Sequence, residues 1–226
     1  MMKTEMEINP EIYKEQDYME NIKLMVFDMD GVLLKNRNSW DVIMNSIYGI
    51  KANNDKMVYT FEYLYENNVP EPIYKYLNES SIKKCLKLNN ISENVYGAMQ
   101  ILKSQKIKTA IVSAGSGIFA NYLKDIFDFD YAVGNEFDYG TRNFVKFVDP
   151  LKKDINIKDI HRKFGYSKEN TISVGDSIMD LSMKRESKYF VAFNPSNKEM
   201  LKKSDFVINS QNLYDIIKTL NINSSL

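Results

Sequence analysis

Leu24-Met25-Val26-Phe27-Asp28-Met29-Asp30-Gly31-Val32 is the stretch on which the fold turns. Its first four residues are apolar with no polar alternation, which predicts a strand buried on both faces. Two carboxylates, one residue apart, follow where that strand should end. An Asp-x-Asp pair adds nothing to the burial of a strand, so it implies something cationic or reactive beyond the tip.

Working outward, short apolar runs flanked by turn residues recur at Thr109 to Val112, Tyr131 to Val133, Thr171 to Val174, Tyr189 to Phe193 and Phe206 to Ile208. Helical faces separate them: Ile91, Val95, Ala98 and Leu102; then Ile118, Tyr122 and Ile126; then Ile157, Ile160 and Phe164. This alternation predicts an α/β fold with a doubly wound, Rossmann-like parallel sheet. From Leu34 to Asn90 the rhythm breaks. The segment reads as helices over Ser39 to Tyr48, Lys56 to Asn67, Pro72 to Leu77 and Ser81 to Leu88. That is too much chain for one crossover. The expected organisation is therefore an N-terminal extension (1–20), a core (21–34 and 91–226) and an inserted helical cap (35–90). The extension is expected to be a short helix or a loose arm.

Lys+Arg and Asp+Glu each total 30 in the 226 residues, so no basic field exists to hold nucleic acid or an acidic membrane surface. A single Cys, Cys85, permits no intrachain disulfide and points to a reducing, cytoplasmic setting. It reads as a buried small hydrophobe. No apolar run approaches membrane-spanning length. The polar N-terminus lacks the apolar centre of a secretion signal.

Ligands of a doubly wound sheet bind beyond the carboxyl ends of its strands. There the chain places Asp28 and Asp30, then Ser113-Ala114-Gly115-Ser116-Gly117, then Gly175-Asp176-Ser177 and Asp180. Asp28 can attack phosphorus and form an aspartyl phosphate. Asp30 can protonate the leaving oxygen and then deprotonate the attacking water. Ser113 and the amides after it, from Ala114 on, suit phosphate oxygens at a helix start. Lys152 or Lys153 can balance the charge. Asp28, Asp176 and the backbone carbonyl of Asp30 offer hard oxygens for Mg2+. Asp180 reads as their supporting partner. His161, the one His, reads as a helix residue away from any strand end, and Lys184 to Lys188 as a solvated helix end.

These motifs resemble those of haloacid-dehalogenase-superfamily phosphatases, in the phosphoserine-phosphatase-like subgroup. Phe27 to Val32 is similar to the family's first motif, Ile111 to Gly115 to the second and Val174 to Asp180 to the fourth. The ungapped stretch from Lys153 to Asp176 favours Lys153 over Lys152 as the third. The resemblance implies an enzyme: a magnesium-dependent phosphomonoester hydrolase acting on a small phosphorylated metabolite. A phosphotransferase or mutase, or a non-catalytic phosphate-binding relative, is the alternative. Two departures bear on substrate. Members of this subgroup carry a cap Glu soon after the first motif, where this chain reads Lys35-Asn36-Arg37-Asn38-Ser39-Trp40. Met179 stands where Asn usually precedes the final Asp. Arg37, which would repel an ammonium and attract a second anion, and Trp40 are the candidate specificity residues. Phosphoserine is expected to be a poor substrate.

Overall fold

The structure, a computed structural model, describes residues 6–8, 19, 21–39, 42, 80, 85, 90–138, 141 and 143–222. In chain order, its strands are β1 (Met6–Ile8), β2 (Leu24–Phe27), β3 (Lys108–Ser116), β4 (Tyr131–Asp138), β5 (Asn143–Lys146), β6 (Thr171–Gly175), β7 (Tyr189–Phe193) and β8 (Phe206–Ile208). The α-helices among these residues are α1 (Val95–Ser104), α2 (Gly117–Phe127), α3 (Lys153–Phe164), α4 (Lys198–Lys203) and α5 (Tyr214–Thr219). A 3₁₀ helix covers Ile178–Glu186.

The strands form one sheet of order β1-β8-β7-β6-β2-β3-β4-β5. All neighbours are parallel except the two outermost pairs, β1 with β8 and β5 with β4. β2 is central and its side chains alternate between two cores. Met25 and Phe27 enter one, with Ile111, Ile172, Val174, Val191 and Phe193. Leu24 and Val26 enter the other, with Ala110, Val112, Phe190 and Ala192. Such two-sided burial is what a continuous apolar strand requires. Val95 and Leu102 of α1, Phe119 and Leu123 of α2, and Ile216 of α5 cover the first face. Ile157 and Ile160 of α3, Met183 of the 3₁₀ helix and Met200 of α4 cover the second.

Four expectations need correction. The N-terminal extension contributes a strand at residues 6–8, where Met6, Glu7 and Ile8 pair with Ile208, Val207 and Phe206. β5 gave no usable sequence signal; it is the return arm of a hairpin whose other arm is the unexpectedly long β4. The buried face of α2 is Gly117, Phe119, Ala120 and Leu123, while Ile126 is exposed. Gly117 sets that phase: a Cβ there would lie 3.1 Å from the backbone oxygens of Gly134 and Asn135, so this turn of α2 rests directly on β4. The run from Lys184 is partly tied down. Lys184 Nζ donates to the Lys203 carbonyl (2.7 Å) and to Asp205 (2.8 Å).

His161 is buried, with Nε2 2.8 Å from Thr171 Oγ1, and Cys85 is buried. Val42 and Cys85 belong to the first core, so residues from both ends of the inserted segment pack on the sheet domain. The helices expected over 39–88, apart from residues 39, 42, 80 and 85, and Trp40, lie outside the described residues. Among the described residues, no helix is long and apolar enough to cross a membrane.

Candidate active site

Strand register brings the polar tips together. Phe27 pairs with Ile111 on one side and Val174 on the other, so Asp28 stands level with Val112 and Gly175. Asp28 N–H continues the ladder to the Val174 carbonyl at 2.9 Å. The Met29 carbonyl then accepts from Leu33 N (3.0 Å) and Leu34 N (2.9 Å), and Gly31 N donates to Asn36 O at 3.0 Å. Gly31 has φ +81°, and a Cβ there would lie 2.3 Å from the Asp176 carboxylate. Only glycine lets this turn pass so close to that acid.

Lys153 begins α3 and is buried between two carboxylates. Its Nζ donates to Asp28 Oδ1 at 2.8 Å and to Asp180 Oδ1 at 2.6 Å. Lys152, by contrast, is mostly exposed and pairs with Asp149 at 3.6 Å. Burial alone would lower the Lys153 pKa, but the charges of Asp180 and Asp28 outweigh it and hold the ammonium form.

Asp180 is fully engaged. Its Oδ2 accepts from Asp176 N (3.1 Å), Ser177 N (2.9 Å) and Ser177 Oγ (2.9 Å). It thereby fixes the turn that presents Asp176, and Gly175 is small because Asp180 packs on it, 2.3 Å from where a Cβ would sit. The Asp176 carbonyl accepts from Ser196 N (2.8 Å) and Oγ (3.0 Å).

Carboxylate oxygens of Asp28, Asp176 and Asp180 lie within 4.8 Å of one another. Asp176 Oδ2 is buried with no hydrogen bond from the described residues; Arg37 Nη1, 3.0 Å away, is a charge contact lacking hydrogen-bond geometry. Crowding has a predictable effect on protonation. Burial, then the charge of Asp180, raises Asp28 to about 7 against the pull of Lys153. Burial, then the charge of Asp28, raises Asp30 to about 7. Burial, Asp28 and Asp180 raise Asp176 to about 8, opposed by Arg37 and Lys153. Hard oxygens, mutual repulsion and a buried oxygen without a hydrogen bond fit a divalent cation at Asp28 and Asp176.

Asp30 is set apart from this cluster. Its side chain turns toward Ser39, whose Oγ donates to Oδ2 at 3.0 Å. Ser113 is buried on β3 and its Oγ accepts from Gly115 N at 3.0 Å, which leaves the hydroxyl proton to donate elsewhere. The loop beyond it closes on the first motif, since a Cβ on Gly115 would lie 2.7 Å from Asp30 Oδ2. Ala114 is pinned through its carbonyl by Asn135 Nδ2 (2.8 Å), while Asn135 Oδ1 accepts from Val148 N (2.7 Å). Arg37 reaches over the edge, donating from Nη2 to the Asn194 carbonyl at 2.9 Å.

Ser39, Asn135 and Asn194 were not singled out from the sequence. Asn194 directly follows β7, so the strand-tip argument that found the acids also reaches it, whereas Asn135 lies within β4, which runs past the apolar stretch that ends at Val133. Ser39 carries no signal of its own.

A parallel sheet with acids and a buried lysine converging at its central strand tips has the build of a hydrolytic α/β enzyme. Comparison with known proteins agrees. The family model "haloacid dehalogenase-like hydrolase" matches residues 22–187, and the chain belongs to that family. It is 33% identical to a phosphoserine phosphatase of Archaeoglobus fulgidus over 135 residues, 56% of this chain and 39% of that protein. It is 26% identical to a phosphoserine phosphatase of Methanocaldococcus jannaschii over 210 residues, 87% of this chain and 96% of that one. The chain spans about two fifths of the length of the first curated relatives it matches. A crystal structure of phosphoserine phosphatase in apo form has the same fold, with TM-score 0.70 and 24% identity over 87% of this chain and 98% of that one.

Proposed function

We propose that this protein hydrolyses a small phosphomonoester through an aspartyl phosphate on Asp28. The observation that carries the reading is the Lys153 ammonium, buried and shared between Asp28 and Asp180 at the tip of the central strand. Asp28 attacks phosphorus, forming a carboxyl oxygen–phosphorus bond as the ester oxygen leaves. Asp30, whose pKa is raised to about 7 by burial and by Asp28, gives that oxygen its proton. Asp30 then takes a proton from water, which attacks phosphorus, frees phosphate and restores Asp28. Ser113, the Ala114 amide and Lys153 hold the phosphate oxygens.

The residues that would hold Mg2+ are Asp28, Asp176 and the backbone carbonyl of Asp30, with Asp180 fixing Asp176. When bound there, the ion supplies positive charge that favours ionised Asp28 and offsets the charge of the phosphate. The substrate is a small phosphorylated metabolite with a second acidic group near Arg37, which stands at the site edge with its side chain 43% exposed. A reducing, cytoplasmic setting belongs to the same proposal and rests on the lone buried thiol. Asp28→Asn should abolish turnover of an aryl phosphate with Mg2+ present while the thermal transition stays cooperative. Activity retained by that variant would remove Asp28 as the nucleophile.

A further inference from the structure

The two oxygens of Asp30 have different surroundings. Oδ2 accepts a hydrogen bond from Ser39 at 3.0 Å, and Ser39 is wholly buried. Oδ1 is closed off from solvent and has no hydrogen-bond partner among the described residues. The backbone beneath is already rigid: the Met29 carbonyl holds Leu33 and Leu34, and Gly31 is bonded to Asn36. What remains free is rotation of the carboxylate itself. Ser39 removes that freedom from one side. From the other, Gly115 leaves room for both groups; a Cβ there would lie 2.7 Å from Asp30 Oδ2 and 2.8 Å from Ser39 Oγ.

From this geometry we infer that Ser39 is a positioning residue for Asp30. It anchors Oδ2, so that Oδ1 is the oxygen that delivers the proton to the departing alkoxide. The inference rests on the proposed role of Asp30 as the acid. As the Asp28–phosphorus bond forms and the ester bond breaks, the proton leaves Asp30 Oδ1 for the ester oxygen and an alcohol departs. In the second half, water gives a proton to the same oxygen as its own oxygen bonds phosphorus, and the Asp28–phosphorus bond breaks to release phosphate. Ser39 undergoes no bond change. It also links the acid to the inserted segment, because Ser39 and Val42 are helical and Val42 packs on the sheet domain.

The test is the dependence of kcat/KM on leaving group, since kcat/KM covers the steps up to alcohol release. An alkyl phosphate needs the acid, whereas 2,4-dinitrophenolate leaves its phosphate ester unaided. Ser39→Ala and the near-isosteric Ser39→Cys should each lose roughly tenfold or more on the alkyl phosphate and little on the dinitrophenyl ester. Asp30→Asn should show the same pattern, more steeply. An equal loss on both esters, or no loss on either, would overturn the role of Ser39 if Asp30→Asn still discriminates between them. If Asp30→Asn also fails to discriminate, the acid role of Asp30 falls, and the inference with it. Melting temperatures of all three variants, read alongside, separate a damaged fold from a misplaced acid.

Discussion

The acid cluster should make the metal-free protein lose stability as pH rises through neutrality. Asp28, Asp30 and Asp176 have pKa values raised to about 7, 7 and 8, against an ordinary 3.8. The folded chain therefore holds protons that the unfolded chain has released. The stability this confers is fully present below the ordinary carboxylate range and is lost as pH climbs through 7 and 8. His161 acts in the opposite sense. Burial lowers its pKa, so its contribution is lost on the acid side, and the measurement should begin at about pH 6.5. At about 1.4 kcal/mol per unit, the three carboxylates together lose on the order of 3 to 4 kcal/mol between about pH 6.5 and pH 9. For a chain of this size that is a fall of roughly 10 °C in melting temperature. The assay is calorimetric melting of chelator-treated protein across this range, repeated with millimolar Mg2+. A cation binds the ionised carboxylates, so its stabilisation grows with pH and should offset most of the fall. Asp176→Asn removes the group with the highest of the three values and should flatten the metal-free slope. A metal-free melting temperature that stays level or rises up to pH 9, or an unchanged slope in Asp176→Asn, would refute the cluster electrostatics.

Other perturbations have equally definite outcomes. Lys153→Met leaves Asp28 and Asp180 without their shared cation and should cost about 3–5 kcal/mol in urea unfolding; a cost under about 1 kcal/mol would contradict the buried pairing. Gly31→Ala forces a Cβ to 2.3 Å from the Asp176 carboxylate at φ +81° and should both destabilise the fold and weaken Mg2+ binding measured by titration calorimetry. Its control is Gly97→Ala on α1, where nothing lies within 4 Å, which should stabilise by about 0.5–1 kcal/mol. Arg37→Glu should lower kcat/KM about tenfold for a phosphorylated acid lacking an amine and leave phosphoserine equal or improved. If phosphoserine proves the better substrate of the unmodified protein, the proposed role of Arg37 is wrong.

The parallel core was readable because strands buried on both faces leave a continuous apolar signature, as Leu24 to Phe27 and Tyr189 to Phe193 do. The edges were not. β1 is three residues in a polar stretch, and β5 owes its conformation to pairing with β4. Ser113 to Ser116 have no strand-forming side chains, yet β3 runs through them because Ser116 pairs with Asn135. Asp28 and Asp176 could be found because the strand ends locate them, and Ser113 because the apolar run of β3 stops at Val112. The ungapped stretch to Asp176 favours Lys153, and helix phase explains it: one residue's rotation turns Lys152 into solvent and Lys153 onto Asp28. Ser39 required the three-dimensional path of the chain after Gly31, which no local pattern encodes. The expected cap lies almost wholly outside the described residues, so Trp40 and its substrate contact stay a proposal.

The antiparallel pairing of β1 with β8 has a practical consequence. β8 is Phe206-Val207-Ile208, apolar throughout, and without β1 it would be an outer strand with unpaired backbone donors and acceptors. Such an edge recruits other chains. Deleting the first eight residues, a natural economy when preparing a smaller catalytic fragment, should therefore yield a protein that self-associates in proportion to its concentration, even though the truncation lies far from the acid cluster.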